Sequence, residues 1–184
     1  MRHTSTVLIE SENLILRRFT AQDADNIFNN WGKNAEVVKY LNWGPVQKVE
    51  ITKVVLGGWL DRYSEDNFYQ WGIELKSTGE LVGSIGVIGE DSELDILEVG
   101  FCLGTPWWRQ GITTEALNTT IKYLFEEVGA NRIFATDDAR NEFSAKAMIK
   151  CGMKHEGTLR SSQKNNSGIY DCSIFAILKE EYNK

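Results

Sequence analysis

Long apolar runs are missing from this chain: no stretch approaches the ~18 residues needed to cross a bilayer. The opening residues, Met1 to Glu10, lack both the apolar centre and the small-residue cleavage site of a secretion signal. Cysteine is scarce, and Cys102, Cys151 and Cys172 form an odd set with no CxxC spacing. That argues against a disulfide framework or a zinc site and for a reducing cytoplasm, so no membrane and no metal are expected. Only two prolines occur, with no low-complexity segment and no repeat, so nothing marks a linker. Residues 1–184 are expected to form a single domain. Basic charge is also short. Twenty Lys and Arg against 26 Asp and Glu leave a net charge of −6, which speaks against a nucleic-acid surface and suits an amine-bearing partner.

What is present is an ordinary globular composition, 42% hydrophobic and 25% charged, with patterns that change period along the chain. Asn13 to Phe19 reads as a strand, and Thr20 caps a helix with Ala24, Ile27, Phe28 and Trp31 on its apolar side. A second helical region places Ile51, Val54, Val55 and Trp59 on one face, interrupted by Gly57 and Gly58. Tyr69, Trp71, Ile73 and Leu75 then alternate with more polar residues, and the turn Ser77 to Glu80 leads into a returning strand, Leu81 to Ile88. Ile96 to Leu103 is a fourth strand and Arg132 to Thr136 a fifth. A helix over Ser144 to Lys150 follows, then a pair of long strands, about Met153 to Ser161 and Ile169 to Leu178. The order β-α-α-β-β-β-α-β-α-β-β predicts an α+β fold.

The most informative segment is Trp107-Trp108-Arg109-Gln110-Gly111-Ile112-Thr113-Thr114-Glu115-Ala116-Leu117. Leu117, Ile121, Leu124 and Val128 follow at helical spacing, so a loop with one glycine runs directly into an amphipathic helix. The first N–H groups of such a helix have no intrahelical partner and suit a phosphate or pyrophosphate. Gly111 lets the backbone approach the anion without a Cβ. No GxxxxGK[ST] occurs, which excludes a P-loop nucleotide-binding protein.

Four segments in this order resemble the GCN5-related N-acetyltransferase superfamily, specifically the branch that includes ribosomal-protein N-terminal acetyltransferases. They are LILRRF, EVGFCLG into PWWRQGITTEAL, NEFSAKAMIKCGM, and HEGTLR followed by YDCSIFAILKEEY. The resemblance spans about Leu14 to Tyr182. It implies a mixed, mostly antiparallel sheet of about seven strands flanked by helices, with acetyl-CoA as co-substrate. It also implies direct transfer of acetyl to a primary amine, either a protein N-terminus or a small molecule such as a polyamine or antibiotic. The family's pyrophosphate loop falls on Trp108 to Thr113, and both ends depart from the usual pattern of Gln or Arg first and Gly or Ala last. A homodimer is compatible with this branch, and no residue demands one. The other class of function considered is a non-catalytic acyl-CoA-binding sensor or scaffold.

By the same resemblance, Phe101, Cys102 and Leu103 offer the strand edge that pairs with the pantetheine arm. Arg109, Gln110, Gly111, Ile112, Thr113 and Thr114 hold the pyrophosphate, with the Thr113 hydroxyl nearby and Arg109 helping to neutralise charge. Asn141 becomes a pantetheine contact, although an asparagine there also reads as a helix cap. Ser144 is the candidate acid for the departing thiolate, with water as the alternative, because Met148 stands where many members have a tyrosine. Glu98 is the candidate base, directly or through a water chain, or else a solvated strand-end charge. His155 reads as a surface or packing residue, and His3 as part of a mobile terminus. Asp171 either binds the amine or is a strand-end acceptor. Lys146 and Lys150 are phosphate contacts or solvated lysines. Trp31, Trp43 and Trp59 either line the acceptor pocket or pack helices.

Overall fold

A computed structural model describes residues 1–182. Eight strands form one sheet: β1 (Ile9–Glu10), β2 (Leu14–Arg17), β3 (Gln70–Leu75), β4 (Leu81–Asp91), β5 (Ile96–Leu103), β6 (Arg132–Asp138), β7 (Lys154–Asn165) and β8 (Gly168–Leu178). Their spatial order is β1-β2-β3-β4-β5-β6-β8-β7, and every neighbouring pair is antiparallel except β5 with β6. The α+β architecture and all seven expected strands are present. The eighth, β1, is two residues long and too short to leave a periodic signature.

Five helices accompany the sheet: α1 (Ala24–Ile27), α2 (Val49–Arg62), α3 (Ile112–Tyr123), α4 (Glu142–Lys150) and α5 (Lys179–Tyr182). No helix among the described residues is long and apolar enough to cross a membrane. Alternation along the strands separates two cores. Leu14, Leu16, Leu97, Val99, Ile133 and Phe175 pack with Leu117, Ile121 and Met148 on the α3 and α4 side. Phe19, Ala24, Ile27, Trp31, Leu56 and Leu81 form a smaller cluster on the α1 and α2 side.

The α2 helix packs differently from its sequence pattern. Its buried residues are Thr52 and Leu56, with Val49, Trp59 and Leu60 packed beside them, whereas Ile51, Val54 and Val55 are exposed and Val54 is 76% accessible. The reason is that this helix is apolar almost all round, so helical spacing alone does not select a face. A small Thr52 faces Gly32, and a Cβ at Gly32 would already press on the Ile27 carbonyl at 3.1 Å. Close approach of α2 to the first helix therefore decides the face.

One arginine ties the early elements to the sheet. Arg17 on β2 donates Nε to Glu74 on β3 at 2.5 Å and its terminal nitrogens to both Asp23 oxygens at 2.8 and 3.0 Å. Asp23 also accepts from the Thr20 backbone N–H at 2.7 Å, closing a capping box ahead of α1. Burial opposes its charge, but Arg17 and the Thr20 N–H outweigh that and hold the carboxyl below its usual range. A depressed carboxylate stabilises the fold above its unfolded pKa and loses that contribution as pH falls through the folded value. Asp23→Ala is expected to cost about 2–4 kcal/mol at neutral pH, because the terminal nitrogens of Arg17 lose their carboxylate and only Glu74 remains as its ion-pair partner. Urea titrations should show the gap from wild type narrowing below about pH 4.

Candidate active site

The sheet forks at its parallel junction. β5 and β6 pair at Ile96↔Arg132, Leu97↔Ile133 and Glu98↔Phe134, and pairing stops there. From Val99 to Leu103, β5 keeps only its β4 neighbour. Its other edge presents main-chain groups to an extended ligand, the geometry of strand addition. Phe101 packs against the larger core and Cys102 against the smaller one, so the backbone of this edge is what faces the fork. Burial pushes the Cys102 thiol upward, and its sulfur lies 3.3 Å from the Ser84 hydroxyl. It is a small packed residue, not a nucleophile.

Beyond Leu103 the chain makes a tight turn, Thr105–Trp107, and reaches α3 through two left-handed residues, Arg109 (φ +61°) and Gly111 (φ +83°). Three contacts brace this loop. Trp108 Nε1 donates to the Leu103 carbonyl at 2.7 Å, Gln110 Nε2 donates to the Pro106 carbonyl at 2.9 Å, and the Arg109 guanidinium lies 4.7 Å above the Phe143 ring of α4. The last contact spans the fork and leaves the charge of Arg109 at its rim. Ile112 turns its side chain inward, and no side chain caps the helix. The first intrahelical bond runs from the Glu115 N–H to the Gly111 carbonyl at 3.0 Å, so the amides of Ile112, Thr113 and Thr114 precede it. A cavity of about 390 Å³ opens here between Gly111, Thr114, Asn118 and Lys150. Lys150 thus stands beside the loop, whereas Lys146 pairs with Glu142 at 3.0 Å.

The two faces of the fork carry different chemistry. On the α1 and α2 face, Glu98 occupies the last paired position and accepts from Thr136 Oγ1 at 3.0 Å across the junction. A register shift in β4 sets Gly89 opposite, where a Cβ would sit 2.9 Å from Glu98 Oε2. Glycine makes room for the carboxylate. On the other face, Asn141 holds the N-cap position of α4 without capping it. Its Nδ2 donates instead to Asp137 Oδ1 at 3.1 Å. Ser144, one turn on and half-buried, stands close to the same carboxyl. Met148 is fully buried.

Asp137 carries no sequence motif, yet it is the most perturbed carboxyl in the site. Burial pushes it up to about 7, against the charge-favouring influence of Asn141, Ser144 and the Asp138 backbone N–H; the negative charge of Asp138 adds a smaller upward push. Its Oδ2 is buried without a hydrogen-bond partner. One signal existed: alternation from Ile133 through Ala135 puts residue 137 on the buried face. Asp138 points the other way and stays charged. Burial opposes this, but Arg140 and the Asn165 amide, which donates at 2.8 Å, hold it low.

Other candidates make contacts of their own. Asp171 accepts from the Ser161 backbone N–H at 2.7 Å and shapes β7. His155 Nε2 is 3.0 Å from Thr158 Oγ1, with its ring against Phe175. His3 is anchored, contrary to the mobile-terminus expectation: it meets Tyr69 OH and Glu90, each at 3.2 Å. Trp31 is buried, so it lines no open wall; Trp59 is half-buried and packs on Phe19, and Trp43 is exposed. The segment around Trp43 is clamped by the β7–β8 turn. Asn166 Nδ2 donates to the carbonyls of Val38, Leu41 and Trp43 at 2.8, 3.1 and 2.7 Å.

A sheet forked beside an uncapped helix N-terminus defines an acyl-CoA-dependent acyltransferase class. The family model for the acetyltransferase (GNAT) domain matches residues 13–154. An uncharacterized N-acetyltransferase of Bacillus subtilis, YoaA, is 31% identical over 172 residues, covering 94% of this chain and 97% of that protein. Among solved structures, the ribosomal-protein-S5-alanine acetyltransferase of Vibrio fischeri superposes with a TM-score of 0.83 at 21% identity, covering 95% of this chain and 97% of that one. The microcin C7 self-immunity acetyltransferase MccE, solved with acetyl-CoA and AMP, gives 0.82 at 19%, covering 91% and 93%. The chain belongs to the GNAT acetyltransferase family, and it is an acetyltransferase that uses acetyl-CoA.

Gly111→Ala meets no atom within 4 Å but forces a Cβ into a left-handed conformation in the loop expected to hold the pyrophosphate. It should cost about 1 kcal/mol of stability and weaken acetyl-CoA binding roughly tenfold, measured by denaturation and calorimetry. For Asp137 the sign is opposite to that of Asp23. A raised carboxyl destabilises the fold increasingly as pH rises from the unfolded value to the folded one. Asp137→Asn should therefore gain stability over wild type between about pH 4 and 7, by a few kcal/mol at most, with a constant difference above.

Proposed function

We propose that this enzyme moves the acetyl group of acetyl-CoA directly onto a primary amine, with both substrates bound together. The observation that carries the reading is the fork itself. It opens one residue past Glu98, with Glu98 and Ser144 on opposite faces of the sheet. An amine arriving from the α1 and α2 side would meet Glu98, which takes its proton directly or through water. A thioester laid along the free edge of β5 would place its carbonyl against a main-chain N–H, which stabilises the developing oxyanion. Ser144 would protonate the departing thiolate. The pyrophosphate would rest on Gly111 and on the amides of Ile112, Thr113 and Thr114, with Arg109, Gln110 and Lys150 around it. Asn141 would contact pantetheine.

The acceptor is a protein N-terminal α-amine or a small-molecule amine. The acceptor wall is the 37–43 segment, held by Asn166. Acidic Glu98 on this face suits a cationic group. We read residues 1–184 as one catalytic domain acting in the cytoplasm.

Thiol release from acetyl-CoA should be followed against short peptides with free N-termini, polyamines and aminoglycosides. One class should give turnover. With that acceptor, Glu98→Gln and Ser144→Ala should each lower kcat about 10²–10⁴-fold with little change in acetyl-CoA affinity. Tight acetyl-CoA binding with unchanged kcat in both variants would remove these residues from the chemistry. Binding without release to any amine would favour a non-catalytic acyl-CoA sensor.

A further inference from the structure

Behind α4 lies a second cavity, of about 320 Å³, that the acetyl-transfer reading leaves unused. Its lining includes Asp137, Ala145, Ile149, His155, Thr158 and Ser173. Asp137 is 8% exposed, and its Oδ2 is buried with no partner. Its other oxygen is held by Asn141, and Ser144 stands close by on the side facing the fork. On the cavity side, Ser173 is its direct cross-strand neighbour. From there a chain of short contacts leads outward: Ser173 Oγ to Thr158 Oγ1 at 2.9 Å, then Thr158 Oγ1 to His155 Nε2 at 3.0 Å. His155 is exposed. A buried carboxyl with a free oxygen therefore separates the candidate acid from a polar path that ends in solvent.

We propose that Asp137 is a proton-relay residue that recharges Ser144 from solvent through the His155–Thr158–Ser173 cavity. The inference rests on the acetyl-transfer reading above. As the amine nitrogen bonds to the thioester carbon and the C–S bond breaks, Ser144 gives its hydroxyl proton to the sulfur. Asp137 passes its own proton to Ser144 and becomes a carboxylate. Water in the cavity returns a proton to Asp137, while the amine's proton leaves by Glu98 to solvent. One amine and one thioester become one amide and one thiol, with no net proton change. A serine hydroxyl alone is a very weak acid. A carboxyl behind it that is about half protonated near neutrality makes the transfer feasible.

Several groups face Asp137. Asn141 and Ser144 come from α4. Asp138, neutralised by Arg140, is its neighbour on β6. Cys172 and Tyr170 on β8 feel its charge, as they do that of Glu98. His155 from β7 shares the cavity.

The test needs no acceptor. Protein labelled with carbon-13 at its aspartate carboxyls should show one signal titrating near neutrality, absent from Asp137→Asn. Saturating CoA should move that midpoint, and desulfo-CoA, which lacks the sulfur, should move it less. Ser144→Ala should abolish the difference between the two ligands while keeping the titration, a comparison that stands even if Asp137→Asn fails to fold. A carboxyl that ionises in the ordinary range, or equal shifts with both ligands, overturns the relay. Absence of any CoA binding would instead overturn the acetyl-CoA reading beneath it. With an accepting amine in hand, wild-type kcat should fall as pH rises through the Asp137 midpoint. Asp137→Asn should be about 10–100-fold slower with that limb gone and KM for acetyl-CoA within about twofold. Adding Asp137→Asn to Ser144→Ala should lower kcat less than twofold beyond Ser144→Ala alone, because a relay residue that acts only through Ser144 has nothing left to recharge. Independent, multiplicative losses would overturn it.

Discussion

Everything distinctive about this protein depends on three rungs of parallel pairing between β5 and β6. Each strand is held firmly in its own antiparallel half: β5 pairs with β4 from Ile96 to Leu103, and β6 pairs with β8 from Arg132 to Asp138. Two half-sheets, each with its own twist, are joined only at Ile96 to Glu98. Past that point the halves separate and leave backbone donors and acceptors without a strand partner. Buried main-chain groups must be satisfied by something. In the proposed reading an extended, amide-bearing ligand would meet that need, with its anionic end at the helix N-terminus beside the gap.

The period-two alternation of the strands then sorts the chemistry. Ile133 and Ala135 of β6 belong to the larger core and Asp137 follows them on that face, whereas Asp138 belongs to the opposite face of the strand. One is buried beside neutral dipoles and resists ionisation; the other is paired with Arg140 and Asn165 and stays charged. Two carboxyls one residue apart are thereby driven in opposite directions by the faces they occupy.

Much of this was readable from residue order. The strands announce themselves by alternation, and the Gly111 loop by a glycine ahead of an apolar helical stripe, because both are local patterns of backbone geometry. Glu98 and Ser144 were singled out through their segments; Glu98 stands at the last paired position before the fork and Ser144 on α4. What escaped were consequences of long-range packing. The face of α2 follows from its close approach to Gly32, 20 residues earlier than Thr52. The importance of Asp137 follows from burial beneath α4. The bracing of Ser11 and Asn13 by Glu115, across about a hundred residues, has no local signature at all. Residue spacing reports what a segment wants, and only the assembled sheet reports what it meets.

The Asn166 clamp has an engineering consequence. The wall proposed for the acceptor is built from a segment near residue 40, yet its carbonyls are gripped by an amide more than 120 residues later in the chain. The shape of the entrance is thus a joint property of two distant stretches. Grafting the early helices of a relative onto this scaffold would transfer the lining without its fastening. A chimera that exchanges acceptor preference has to carry the β7–β8 hairpin with it, so the unit of substitution is the wall together with its clasp.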